Sequence, residues 1–483
     1  MTNSVAEASE DSARGSDKLA KVRTLRGGVE AMRAAGEKYL PKEERETDTD
    51  YDDRKSRSWL LPSLDKAVEN VADQIFAKEV QLDEDVPDVI ADLEVNITND
   101  GRNLNTFARE VCEDGVEAGV SFIFVDCPRK PDEMTVAEQQ AMNFRPYMTL
   151  VKAEDVLGWK TETVNNITEL AQVRILETVT EDDPEDRFKQ EHISQVRVLT
   201  REEGRVTVEL WRQSDKSGWQ LHDEFVVDIP EITLVPFYTN RTGFMTGLPP
   251  LENLADLNIA HWQSASDQRN ILHTARVPLL FLKGMSADEI KSAANSALYS
   301  TADNADAKWV EHSGKAIEAG QNDLKHLEQS MAVLGLQLMM PKPGTATATG
   351  EALDTAKANT PLAMIANSLK DSLETALGYM AQYMGLDEGG SVAVNTDFGV
   401  NLLGQADLQF LLNARNTGQI SHATFIKECK RRNVLMDGID AEDEQERLED
   451  EIPEREDLAE VDLEDETPSP QEAFLNVVNG GLA

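Results

Sequence analysis

The sequence predicts a mixed α+β protein, and three observations predict it. Apolar stripes at the helical period recur before residue 120 and after residue 250. A block of period-two alternation fills Arg145 to Phe237. A Pro249-Pro250 pair then opens a series of long helices.

Met1 to Lys21 is polar, with acids and serines interleaved, and is expected to be a disordered arm. Val22 to Leu40 predicts a helix interrupted at Gly27-Gly28 and stopped at Pro41. Glu43 to Asp53 is read as an acidic linker. In Ser63 to Val80, Leu64, Val68, Val71, Ile75 and Phe76 form one helical stripe. Leu104 to Gly119 predicts another helix, feeding the short apolar run Val120 to Asp126, a buried strand.

Alternation then takes over in Val196-Arg197-Val198-Leu199, Val206 to Trp211 and Phe225 to Ile229, separated by turn formers such as Glu203-Gly204. This predicts an antiparallel sheet ending at Ile232 to Phe237, followed by a polar loop from Tyr238 to Gly247. Leu251 to His273 predicts a helix about 33 Å long, and Val277 to Leu282 a strand. Ser286 to Tyr299 reads as a short helix and Ala307 to Ile317 as a small strand pair. Asn322 to Met340 carries Leu324, Leu327, Met331, Leu334 and Leu338 at spacings of 3, 4, 3 and 4, an a/d seam. That seam fits a contact between subunits or an internal antiparallel pair equally well. Pro341 to Gly344 stops the helix, and Thr345 to Gly350 is small, polar and uncharged. A third helix reaches Met384, with Leu362, Ile365, Leu369, Leu373, Leu377 and Met380 on one face. Ser391 to Phe398 is strand-like, and Leu408 to Arg415 and His422 to Arg432 predict helices. Asp440 to Glu466 holds 16 acids and two arginines, an extended or frayed tail.

Composition narrows the function. With 89 acidic and 47 basic residues the formal charge is −42, which repels nucleic-acid phosphates at long range. No stretch approaches the length of a membrane span or a signal peptide. The three cysteines, Cys112, Cys127 and Cys429, suit a reducing compartment without a disulfide framework. No phosphate-binding loop, dinucleotide fingerprint, zinc motif or nucleophile elbow is present. Ser313-Gly314-Lys315 is the nearest echo of a phosphate loop, but Trp309 stands where its first glycine belongs. Cys127 follows a strand and reads as a small residue at a strand exit, since only Arg129 and Lys130 lie near to activate it. Trp211, Trp219, Trp262 and Trp309 are too dispersed for a base-stacking platform and fit core or subunit contacts. These readings assign no catalytic residue, cofactor or metal. An acidic hydrolase with dispersed carboxylates is the alternative enzyme reading, and no spacing supports it.

The run Gly27-Gly28-Val29-Glu30-Ala31-Met32-Arg33-Ala34-Ala35-Gly36-Glu37-Lys38-Tyr39-Leu40-Pro41 resembles the opening segment of one subfamily of tailed-bacteriophage portal proteins, followed as there by a Tyr/Arg stretch, here Tyr51-Asp52-Asp53-Arg54. Further matching features follow in order. These are Asn99 to Leu104, Gly119 to Pro128, Val235-Pro236-Phe237, Gly247-Leu248-Pro249-Pro250-Leu251 and the Thr/Ala-rich Thr345 to Thr349. The resemblance spans about Val22 to Glu451 and misses the arm and the acidic tail.

The resemblance implies a portal-type fold: an α/β wing over residues 22–247, a stem helix at 248–276, a small α/β clip at 277–320 and a second stem helix at 321–340. A tunnel loop at 341–350, a wing helix and crown at 351–438 and the tail at 439–483 complete it. It implies a homo-oligomeric ring of twelve subunits at the capsid vertex, assembled in the host cytoplasm. The ring would carry double-stranded DNA non-specifically and dock the large terminase, scaffold and major capsid proteins and the head–tail adaptor. On that reading Lys342, Thr345, Thr347, Thr349, Arg269 and Lys325 are candidates to face the DNA channel, with His273, Arg276 and Lys283 near the clip. Leu324, Leu327, Met331, Leu334, Leu338 and Trp262 are candidates for subunit contact. Another virion component, a scaffold or adaptor, is the alternative, although adaptors are usually much shorter.

Overall fold

The computed structural model describes residues 3–128, 144–183, 186–214, 218–276, 279–283, 304, 306–310, 314–335, 360–396, 398, 412–415, 417–431 and 435. The chain divides into two units, Met1–Gly399 and Val400–Ala483. The first begins with α1 (Glu10–Ala13), α2 (Ser16–Arg26), α3 (Gly28–Ala35), α4 (Asp48–Arg57), α5 (Ser63–Ile75), β1 (Gln81–Leu82), α6 (Asp88–Ala91) and α7 (Leu104–Ala118). Strands β2 (Val120–Asp126), β3 (Tyr147–Val151), β4 (Val156–Val164), β5 (Ile167–Asp182), β6 (Gln190–Glu202), β7 (Arg205–Ser214), β8 (Gly218–Val227) and β9 (Leu234–Tyr238) follow. After the small strands β10 (Arg241–Gly243) and β11 (Thr246–Gly247) come α8 (Glu252–Ala275), β12 (Leu279–Lys283), β13 (Asp306–Val310), α9 (Lys315–Gly335), α10 (Thr360–Met384) and β14 (Val392–Ala393). In the second unit α11 (His422–Arg431) starts behind a Ser421 hydroxyl that accepts from the Thr424 amide at 3.1 Å, and buries Ile426 and Cys429.

The alternating block, together with the earlier β2, forms two antiparallel sheets. Strands β4 to β8 make a five-stranded meander in sequence order, and β3-β2-β9 make a three-stranded sheet. The tight turns explain the meander's register. Asn165 and Asn166 (φ 51° and 66°) turn β4 into β5, and Glu203-Gly204 (φ 50° and 76°) turns β6 into β7. Strand β2 is apolar on both faces because both are covered. Ile123 and Val125 join the main helical core, while Phe122 and Phe124 join the core against the meander.

The main core gathers α5, α7, α8 and α10 around that strand. On α10 the predicted stripe is borne out: Leu362, Ile365, Leu369, Leu373, Leu377 and Met380 are all buried, on the side that packs over β9 and β2. At about 1.5–3 kcal/mol per side chain the six residues of this face contribute about 9–18 kcal/mol before entropy is counted. At the end of α7, Gly119 adopts φ +87°, and a Cβ there would lie 2.2 Å from the Leu248 carbonyl oxygen. Only glycine lets β2 and the start of α8 approach so closely.

Several expectations change. The arm is ordered from residue 3. Ser9 caps α1, Ser9 N donates to Leu157 O at 2.7 Å, and the Arg174 guanidinium donates to the carbonyls of Ser4, Val5 and Glu7. Lys18 pairs with Glu252 at 2.8 Å and Lys21 with Asp256. A clamp made of polar contacts leaves no apolar periodicity to read. The acidic linker is in part helix α4, because the Thr47 hydroxyl accepts from Asp50 N at 3.2 Å and caps it. Residues 306–310 form a single strand pairing with 279–283, from Leu279↔Val310 to Lys283↔Asp306. The second long helix starts at Lys315, seven residues before the expected Asn322, so the insert between the two long helices is shorter than 277–320. The Ser286 to Tyr299 helix, Leu338, the loop with Lys342, Thr345, Thr347 and Thr349, and the acidic tail lie outside the described residues.

Candidate functional site

The feature best suited to a function is the helical hairpin of α8 and α9. At about 1.5 Å per residue the helices run about 36 Å and 32 Å. They are antiparallel. Leu254 lies against Gly335, His261 Nε2 lies 3.4 Å from Glu328 Oε1, Ser264 Oγ donates to Asp323 Oδ2 at 2.9 Å, and Gln268 Nε2 donates to Ile317 O at 2.9 Å. The root of the pair is in the core, with Leu254, Ala255, Trp262 and Met331 buried. Farther out Ile271 and His273 are exposed, as is most of α9 between Asn322 and Ser330. The two-stranded β12–β13 sheet stands at the far end.

The segment that carries the sequence resemblance buttresses this root. Tyr39 O accepts from Gln263 Nε2 at 3.0 Å. Leu40 O accepts from the Tyr51 hydroxyl, and Pro41 O from Arg54, whose guanidinium also chelates Glu46. Asn258, 1 % exposed, bridges α8 to the start of α5: its Oδ1 accepts from Leu64 N and its Nδ2 donates to Leu61 O.

Of the predicted subunit-contact residues, Trp262 is 0 % and Met331 1 % exposed, so the chain itself covers both and neither has surface left for a neighbour. This corrects the expectation for those two: the intrachain helix pair already buries them. Leu324, Leu327 and Leu334 are half-buried and keep part of their surface. Trp219 is also buried, within the smaller core on the meander. Cys127 is a poor nucleophile, since burial and then Asp126 push its thiol up to about 11.

Of the predicted channel cations, Lys325 and Lys283 are exposed and do not line the groove that takes Arg269, His273 and Arg276. The latter three line one groove with Arg33 and Arg57. Arg33 and Arg57 were not singled out in the sequence. Their signal is positional: each sits in the last turn of its own helix, α3 or α4, and the last turn of α8 meets them in space. At the α2–α7 contact, by contrast, the cations pair with acids. Arg23 reaches Asp114, Glu117 and Glu154, and Arg26 reaches Asp65 and Glu117. Burial, partly offset by Arg23, raises the Asp114 carboxyl to about 6. No group of three or more potential metal ligands occurs among the described residues. Among them, too, no helix is long and apolar enough to cross a membrane.

A protein family described as "Domain of unknown function (DUF4055)" matches residues 250–384, the stretch from the start of α8 through α10. No curated protein matches the chain. Among solved structures it is similar to a chain of "Virion of native gene transfer agent (GTA) particle", at 13 % identity and TM-score 0.40, over 77 % of this chain and 89 % of that one. It is also similar to chains of "Neck of empty GTA particle computed with C6 symmetry" (11 % identity, TM-score 0.39, 75 % and 88 % covered) and "Neck of native GTA particle computed with C12 symmetry" (12 %, 0.39, 76 % and 88 %).

Proposed function

We propose that this chain is a virion structural protein, one subunit of the portal ring of a tailed bacteriophage. In that role it serves as a non-enzymatic conduit through which an external motor drives DNA. One observation carries the reading: the α8–α9 hairpin, rooted in the core at one end and bearing a two-stranded sheet at the other, in the order expected for a stem and clip. The sheet-bearing first 247 residues correspond to a wing, and α10 to the helix that returns into it. A long hairpin with exposed flanks buries more surface in a head-to-tail ring, which closes without leaving an unpaired interface. The strong negative charge suits a duplex that must slide rather than bind tightly.

Electron microscopy of the purified protein tests this. Rings with a central hole and a subunit count near twelve are expected in top views. Particles that remain monomeric or dimeric at high concentration would refute the portal reading.

A further inference from the structure

The groove at the outer end of α8 does not fit a uniformly repulsive conduit. In a chain of charge −42, Arg33, Arg57, Arg269, His273 and Arg276 line one open groove of about 390 Å³. Direct carboxylate contact is sparse. Arg33 pairs with Glu30 at 2.9 Å, while Arg57, Arg269 and Arg276 form no salt bridge among the described residues. The remaining hydrogen bonds fix the groove's shape. Arg33 donates to Ser58 O (3.0 Å), Arg57 to Asn270 Oδ1 (3.3 Å) and Arg269 to Arg57 O (2.9 Å). The Nε–H groups of both Arg33 and Arg57 are buried without an acceptor.

Helix ends explain part of this. Arg33, Arg57 and His273 lie in the last turns of α3, α4 and α8, and Arg276 follows α8 directly. Each helix end offers about half a negative charge. Four guanidinium groups against three half-charges and one carboxylate leave the groove positive.

The arrangement also selects among anions. Arg269, His273 and Arg276 are spaced i, i+4, i+7, a single stripe about 10 Å long. Cations strung along a line suit a string of charges better than one compact anion, and 10 Å spans about three phosphates at roughly 3.4 Å per nucleotide of rise. We propose that this groove grips the phosphodiester backbone of a nucleic-acid strand, so that the otherwise repulsive subunit carries one local brake. Such a grip rests on the conduit reading for its purpose, and ring formation is scored on the same samples so that the two can fail separately.

The test uses the full-length chain and a fluorescent 20-base-pair duplex, followed by anisotropy over a salt series. The variants are the double change Arg269→Gln/Arg276→Gln, the single change Arg276→Gln, and a charge-matched pair outside the groove, Lys189→Gln/Arg205→Gln. The double change should raise Kd at least tenfold and flatten the log Kd against log salt slope by about two, and Arg276→Gln alone by about one. The outside pair should leave both nearly unchanged. Equal affinity in wild type and groove variants, or an equal loss in the outside pair, would overturn the proposal. Competition by pyrophosphate at matched charge would indicate a site for free phosphate, and competition by polyglutamate a site for an acidic polypeptide. Either result overturns a strand-specific grip. Circular dichroism confirms folding; the single variant, at an exposed arginine, tests the proposal even if the double variant misfolds.

Discussion

Replacing Arg23 by Met removes the cation that docks α2 against α7, and the cost should depend on pH. Asp114 is 5 % exposed, and its Oδ1 accepts from Arg23 at 2.5 Å. Glu117 is also buried but keeps Arg26 at 2.7 Å, and Glu154, which loses its pair with Arg23, is solvent-exposed, so among the buried acids the variant strips only Asp114 of its counter-charge. Removing one partner of a buried pair costs about 3–5 kcal/mol while the other stays charged. Asp114 has an escape, because its carboxyl already titrates at about 6 with Arg23 present, and higher without it.

The folded carboxyl therefore titrates above its unfolded value of 3.8. Its own contribution to stability is full below pH 3.8 and is lost as pH rises through 6. Removing Arg23 extends that loss to higher pH. At pH 5 Asp114 is protonated in both proteins, and the variant loses only the remaining hydrogen bonds, about 1 kcal/mol. At pH 8 the wild type gains about 2.7 kcal/mol by ionising two units above the titration point, a gain the variant forfeits in large part. The expected loss is then about 3 kcal/mol. Thermal unfolding followed by circular dichroism should show Tm falling by roughly 6 °C at pH 8 and 2 °C at pH 5, at about 2 °C per kcal/mol. General self-repulsion of the −42 chain changes with pH in both proteins and cancels in the comparison. An equal Tm loss at the two pH values would refute the assignment of Asp114 as the group left exposed to charge.

Two further substitutions probe the hairpin's root. Gly119→Ala places a methyl group 2.2 Å from the Leu248 carbonyl oxygen in a left-handed conformation, so a loss of at least about 3 kcal/mol is expected in urea unfolding. Asn258→Ala orphans the buried Leu64 amide at about 1–3 kcal/mol, while the Leu61 carbonyl keeps the Ser63 amide at 2.8 Å; hydrogen exchange should quicken first at the start of α5 rather than in the meander.

Local periodicity made much of the fold legible. The α10 stripe, the doubly buried β2 and the Glu203-Gly204 turn each declare themselves within a few residues, because burial on one face or a left-handed turn restricts the residue types that fit. The a/d seam was legible as a seam and not as to its partner. Leu324 to Leu334 would show the same spacing inside one chain or between two, and the fully buried Met331 and Trp262 belong to the former. The groove was half legible. Arg269, His273 and Arg276 share a visible helical stripe, whereas Arg33 and Arg57 are more than 200 positions earlier and join it only through folding. The arm's order is not legible, because ion pairs and capping hydroxyls leave no periodic trace.

The arm's fastening also sets an order of events during synthesis. Lys21 emerges from the ribosome first, yet its partner Asp256 is 235 positions away. At about 5–20 residues per second, the first turns of the chain wait roughly 12–47 s for the residues that hold them. Lys18 and Arg174 depend on contacts across 234 and 170 positions in the same way. The N-terminal segment is thus fastened in two stages: a nascent chain halted before residue 252 has the meander's hold on residues 4–12 but lacks the two lysine pairs, and should be cleaved faster around Lys18 and Lys21 than the full chain.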